Sequence, residues 1–140
     1  MDDRWLYVSC WGTGELKQYD VVDILNPVET GSVRLGGIVG RQPHPAAPEL
    51  ALGGGPQMVE VSRDGQRVYV TNSLYGAWDD IFYPDGVGAW MAKLDANLDG
   101  GGLTIDERFF PHGDEFRGLR VLQTRLEGGD ASSDSYCYTS

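Results

Sequence analysis

A handful of side chains have the types and spacing to do chemistry. Asp95, Asn97 and Asp99 place oxygen donors at alternate positions, and Gly100 follows where a calcium loop bends sharply. Such a loop closes on a bidentate Glu at its twelfth position. Here Asp106 stands there, and Gly101 and Gly102 fill the seventh and eighth places. Gly86, Val87 and Gly88 also discourage the entering helix, so a polar glycine hairpin fits better than a calcium loop. His44 sits between Pro43 and Pro45, and His112 follows Pro111. Either imidazole could carry a proton or ligate a metal, yet neither has a second histidine at ligand spacing. A loop or surface role is expected for each, unless the two meet in space. Cys10 and Cys137 are far apart and make no metal-ligand pattern, so both are expected to be reduced thiols without a chemical role. Residues 128–134, Gly-Gly-Asp-Ala-Ser-Ser-Asp, combine carboxylates, hydroxyls and flexible N–H groups able to hold an anion or close a tight turn. Ser132 and Ser133 lack a neighbouring His or Lys to activate them as nucleophiles. Spacing alone therefore assigns no catalytic, cofactor-binding or metal residue.

The elements that must position these groups read as short strands and turns. Residues 4–9 and 15–20 form one hairpin across the glycine-bearing segment 10–14. Residues 30–35 are a third strand, and Gly36-Gly37 ends it. Prolines at 43, 45, 48 and 56, with Gly53-Gly54-Gly55, make 40–56 a long irregular connection that cannot build a sheet ladder. A second hairpin, 58–62 and 67–72, turns at Asp64-Gly65, where glycine supplies the positive φ of a tight turn. Residues 73–85 are a turn-rich aromatic insertion before a strand at 88–95. A strand or extended segment is expected within 103–110, and 119–126 alternates in the same manner. Residues 128–140 form a polar C-terminal tail beyond the strand-bearing part, 1–127.

An imperfect internal repeat organises the strands. Leu6-Tyr7-Val8-Ser9 aligns with Val68-Tyr69-Val70-Thr71, and Gln18-Tyr19-Asp20 with Lys93-Leu94-Asp95. On that alignment residues 1–4 begin where the turn 63–66 stands in the later copy, so the first copy lacks its opening strand. The expected fold is all-β, a partial β-propeller of two to three incomplete blades. Blades bury their faces only against neighbours, so so few should stand alone poorly.

Composition agrees. With 20 glycines, 7 prolines, 4 tryptophans, 7 tyrosines and 4 phenylalanines in 140 residues, short strands are favoured over long helices. A formal charge of −10 repels a phosphate backbone, so nucleic-acid binding is not expected. No run approaches the length and apolarity of a membrane helix, and no basic stretch precedes an apolar core at the N-terminus. A soluble, cytoplasmic protein is expected.

Several motifs carry a more specific resemblance. Asp3-Arg4-Trp5-Leu6-Tyr7, Gln18-Tyr19-Asp20, Gly54-Gly55-Pro56-Gln57-Met58, the insertion from Ser73 to Asp80 with Phe82-Tyr83-Pro84-Asp85, and Gly128-Gly129-Asp130 with Ser132-Ser133-Asp134 occur in order. Together they resemble the C-terminal region of the selenium-binding protein family, which includes methanethiol oxidase. The resemblance implies a propeller of which this chain is about the last third. It also implies oxidation of methanethiol with copper as the metal, and selenium binding. The family's histidine-rich motifs and its selenium-linked cysteine lie mostly outside the matching part. Where the family has a histidine before its Arg-x-x-Gly-Gly-Asp stretch, this chain has Leu122-Gln123, and a cysteine position of some relatives is Ala131. Leucine cannot ligate copper. The expectation is a truncated relative without a complete active site or its own cofactor, which could pair with the missing N-terminal part. The alternative is a stand-alone β-rich interaction module that pairs, or self-associates, through exposed blade edges.

Overall fold

The computed structural model describes residues 3–122 and 124. Its strands are β1 (Trp5–Cys10), β2 (Glu15–Asp20), β3 (Val28–Arg34), β4 (Val59–Val61), β5 (Arg67–Thr71), β6 (Met91–Ala96) and β7 (Leu103–Ile105). One helix, α1 (Gly76–Phe82), lies between β5 and β6, and a 3-10 turn covers Gly113–Phe116. The strands make two antiparallel meanders, β1-β2-β3 and β4-β5-β6-β7. The all-β expectation holds.

Local chemistry sets each hairpin. Between β1 and β2 the chain turns on Gly14, at φ +80°, whose N–H donates to the Cys10 carbonyl at 2.9 Å. Between β4 and β5, Asp64 Oδ1 accepts from the Ser62 hydroxyl at 2.5 Å and from the Gln66 N–H at 3.0 Å. An aspartate bonded to the backbone two residues on is the Asx turn that such hairpins use.

The repeat is visible in the register. Leu6 faces Tyr19 across β1 and β2, and Val68 faces Leu94 across β5 and β6. Those pairs are equivalent in the sequence alignment, so β1-β2 repeats β5-β6 residue for residue at this point. The second sheet carries β4 in addition, and no strand pairs with the outer edge of β1 among the described residues.

The core gathers Leu16, Val68, Val70, Ala92 and Leu94 from the strands with Leu35, Leu52, Trp90 and Phe110 from connecting segments. Burying each large side chain stabilises the fold by about 1.5–3 kcal/mol before entropy is charged. The sheets also meet through close backbone contacts. A Cβ on Gly31 of β3 would stand 2.8 Å from the Leu103 nitrogen at the start of β7. Beside this contact, fully buried Gln18 accepts from the Gly102 N–H at 2.7 Å and from the Thr30 hydroxyl at 3.0 Å, and donates to the Tyr7 hydroxyl at 3.2 Å. A second backbone joint ties loops 12–14, 36–37 and 53–55. Cβ atoms on Gly14 and Gly37 would stand 2.7 Å from the Gly36 oxygen and 2.8 Å from the Thr13 oxygen, and one on Gly36 would strike the Gly54 oxygen.

One expectation needs correction, and two others are narrowed. The insertion 73–85 contains α1, seven residues long. Its signal is weak because two turns are too few for a helical period to emerge. Buried Asp79 makes it possible, accepting from the Leu74 N–H at 3.1 Å and the Ser73 hydroxyl at 2.6 Å and so tying down the segment before the helix. The strand within 103–110 stops at Ile105, because Asp106 Oδ1 accepts from the Arg108 N–H at 2.8 Å and turns the chain. Residues 119–122 form no strand, and the alternation expected for 119–126 continues largely into residues outside those described. The connection 40–56 builds no ladder strand, as expected, and carries only isolated bridges, Gly36 to Gln42 and His44 to Ala47.

Candidate functional site

At the end of the second sheet where β5 leaves and β6 enters, buried Asn72 organises three loops. Its Nδ2 donates to the carbonyls of Gly53 at 3.1 Å and Gly88 at 3.4 Å, and its Oδ1 accepts from the Trp90 N–H at 3.1 Å. Trp90 Nε1 adds a 2.7 Å bond to the same Gly53 carbonyl, and Trp11 Nε1 donates to the Asn72 carbonyl at 2.9 Å. These bonds hold open a cleft of about 210 Å³ between segments 50–53 and 86–90, with His112 and Arg41 at its margin.

Arg41 has a left-handed backbone, φ +41°. Its guanidinium lies 5.1 Å from the centre of the Tyr83 ring, a cation–π distance. The paired hydrogen bonds between Gly36 and Gln42, 2.7 and 2.8 Å, fix the residue that follows it.

The two histidines do meet. His44 stacks on Phe110 with centroids 4.0 Å apart and planes 3° off parallel, and His112 stacks on the same ring at 4.7 Å and 19°. Two rings so nearly parallel at these distances cannot share one face, so Phe110 lies between the imidazoles. His44 is fully buried, its Nδ1 accepts from the Ala46 N–H at 3.1 Å, and its Nε2 has no hydrogen-bond partner. Burial pushes the His44 pKa down, against the opposing pull of Asp106 and Glu107. The His112 ring engages the Phe110 carbonyl through Nδ1 at 2.9 Å.

This arrangement does not fit a shared copper ion. A phenyl ring separates the two imidazoles, and His44 Nδ1 already serves as an acceptor. Among the described residues no three His, Cys, Asp or Glu side chains come close enough to hold a metal. Cys10 is a free thiol on β1, beside Leu6 and Val8 on a shallow concave part of the sheet surface and away from both histidines. Cys137, Ala131, Ser132, Ser133 and the stretch 128–134 lie outside the described residues. Leu122, where the resemblance implies a histidine, has an exposed side chain, and its carbonyl accepts from the Thr71 hydroxyl at 2.8 Å.

The half calcium motif is a hairpin between β6 and β7, as the sequence favours. Asn97 Oδ1 accepts from the Asp99 N–H at 2.8 Å. Asp106, at the would-be twelfth position, is bound by the Lys93 ammonium at 2.5 Å, which with the Arg108 N–H lowers its pKa to about 2. Sequence reasoning missed the roles of Arg41, Asn72 and Trp90. Nothing in the local sequence marks them, because the segments they join are distant along the chain.

Two antiparallel meanders that repeat one pairing register define an all-β protein built from a recurring hairpin unit. The chain belongs to the 56 kDa selenium-binding protein (SBP56) family, whose model matches residues 1–137. It is 40% identical over 153 residues to the methanethiol oxidase of Xenopus tropicalis and 40% over 157 residues to selenium-binding protein 3 of Arabidopsis thaliana. Each alignment covers 96% of this chain and 32% of the relative, so the chain spans about a third of their length. The X-ray structure of a hypothetical selenium-binding protein from Sulfolobus tokodaii matches 99% of this chain and 29% of its own, with TM-score 0.85 and 57% identity. Among the described residues no helix is long and apolar enough to cross a membrane.

Proposed function

We propose that this chain forms adjoining partial blades of a β-propeller in a protein of the methanethiol oxidase and selenium-binding type. The observation that carries this reading is the shared register, Leu6 opposite Tyr19 and Val68 opposite Leu94. A propeller repeats one antiparallel meander, and sheets joined through glycine-tight contacts at their faces suit that packing. The relatives' names indicate oxidation of methanethiol, and the family resemblance implies that methanethiol, oxygen and water give formaldehyde, hydrogen sulfide and hydrogen peroxide. Copper dependence, if it extends to this protein, rests on residues outside the described ones, since the histidine stack does not suit the metal. The part played by this chain is then to hold loops and sheet faces around chemistry completed elsewhere in the fold. The test is peroxide release by the purified 140-residue chain, supplied with copper(II), oxygen and methanethiol. No turnover is expected, and measurable methanethiol-dependent peroxide would overturn the reading.

A second reading is a stand-alone module that associates through β1. It is favoured by the outer edge of that strand, unpaired among the described residues, and by Leu6, Val8 and Cys10 on one of its faces, with Leu6 47% exposed. Size-exclusion chromatography with light scattering distinguishes the two: a defined dimer that Leu6→Lys dissociates supports the module, and a monomer rejects it.

A further inference from the structure

We propose that the cleft organised by Asn72 binds a small organic anion, a short-chain monocarboxylate, with Arg41 as its counter-charge. The inference does not depend on methanethiol chemistry.

Charge is the first argument. The chain carries 21 acidic residues against 11 basic ones, yet no Asp or Glu lines this cleft. Several other cations are neutralised locally: Arg4 by Asp20, Lys17 by Glu29, Arg34 by Glu15, Lys93 by Asp106 and Arg120 by Asp80. Arg41 has no carboxylate partner among the described residues and rests over the Tyr83 ring instead. A guanidinium presents a planar fork of donors that matches a carboxylate, and stacking on an aromatic ring orients the fork without consuming it.

The walls supply the second argument. The carbonyls of Gly53, Gly88 and Ala89, which would attract a cation, already accept hydrogen bonds from Asn72, Trp90 and Gly113. Apart from Arg41 and His112 at the margin, the side chains that line it are apolar, with Leu52, Val87, Ala89 and Trp90 among them. A site with an apolar floor and one cation at its margin selects an ion with a hydrocarbon body over inorganic phosphate. The cavity, about 210 Å³, lies below the usual range for drug-sized ligands, which limits the body to a few carbons.

Backbone conformation is the third. Arg41 occupies a left-handed region that costs a non-glycine residue stability, and strain of this kind concentrates at ligand sites. The Gly36–Gln42 bridge holds it there. Gly86, Gly88 and Gly113 have positive φ and nothing within 4 Å of where a Cβ would stand, so backbone alone forms that side of the cleft and leaves room.

The probe is butyrate, titrated into the ¹⁵N-labelled 140-residue chain, with butylamine as the cationic counterpart. Saturable shifts are expected at the Gly53, Gly88 and Gly113 amides and the Trp90 indole, with none from butylamine. Arg41→Gln weakens butyrate binding by about tenfold or more, as loss of a charged hydrogen-bonding partner requires. Leu50→Glu, which sets a carboxylate on the cleft wall and leaves Arg41 intact, weakens it as well. The proposal is overturned by equal binding of butylamine or by an Arg41→Gln affinity within about twofold of the parent. It fails equally if shifts lie away from the cleft or none saturate by about 50 mM butyrate, near the weak limit for so small a ligand.

Discussion

Replacing Gln18 with leucine tests whether the two sheets are clasped by one buried amide. Gln18 is fully buried and makes three side-chain bonds, to Gly102 at 2.7 Å, Thr30 at 3.0 Å and Tyr7 at 3.2 Å. Leucine is of similar size, so the change removes hydrogen bonding and leaves packing nearly constant. Each lost bond is worth about 1 kcal/mol net, and stranding the Gly102 N–H at the sheet junction adds about 1 kcal/mol or more. The expected loss is therefore about 3–4 kcal/mol in urea unfolding, close to a 10 °C drop in Tm for a chain of this size. Thr30→Val, which removes only one of the three bonds, should cost about 1 kcal/mol. A Gln18→Leu loss below about 1 kcal/mol would refute the reasoning, because the clasp would then add nothing beyond apolar burial.

Other perturbations read other parts of the fold. Asn72→Ala removes three bonds that join β5 to the segments around Gly53 and Gly88, and should cost about 2–4 kcal/mol in denaturant unfolding; a smaller loss would mean these loops hold without it. Gly31→Ala places a methyl 2.8 Å from backbone of β7, and overpacking of about 1–3 kcal/mol should appear as a lower Tm. The folded-state pKa of His44 lies below its ordinary value of 6.5, so the unfolded chain binds the proton more readily. The stability this contributes is complete above the unfolded pKa and is lost as pH falls through the folded one. Denaturation curves between about pH 7.5 and 5 should slope downward on acidification, and His44→Phe should flatten the slope while retaining the stack on Phe110.

What the sequence made legible was local. Asp64-Gly65 and Gly14 mark their turns within a few residues, and Leu6 and Val68 can be aligned because each strand carries its own pattern. Helix α1 escaped notice because a buried carboxylate, Asp79, anchors its start, and burial is not written into seven residues. The strand expected within 103–110 is β7, and its end at Ile105 follows from Asp106, which turns the chain through bonds to Arg108 and Lys93. The cleft could not be read at all. Arg41, Asn72, Trp90 and His112 come from separate connections, and only the folded sheets bring them together. Gln18 likewise looks like a surface residue of a polar strand until its partner, Gly102, arrives from 84 positions away.

The joint of loops 12–14, 36–37 and 53–55 has a consequence for how such a chain can vary over generations. Its contacts are peptide against peptide, with the Leu35 N–H donating to the Gly14 carbonyl at 2.8 Å and the Ile38 N–H to the Gly12 carbonyl at 2.9 Å. A side-chain core can drift, because a loss of volume on one side is recovered by a gain on the other. Bare backbone offers no such compensating pair. Gly14, Gly36 and Gly54 act as a gauge block of set thickness, and a methyl on any one of them changes the spacing that ties the first hairpin to the Gly53 wall.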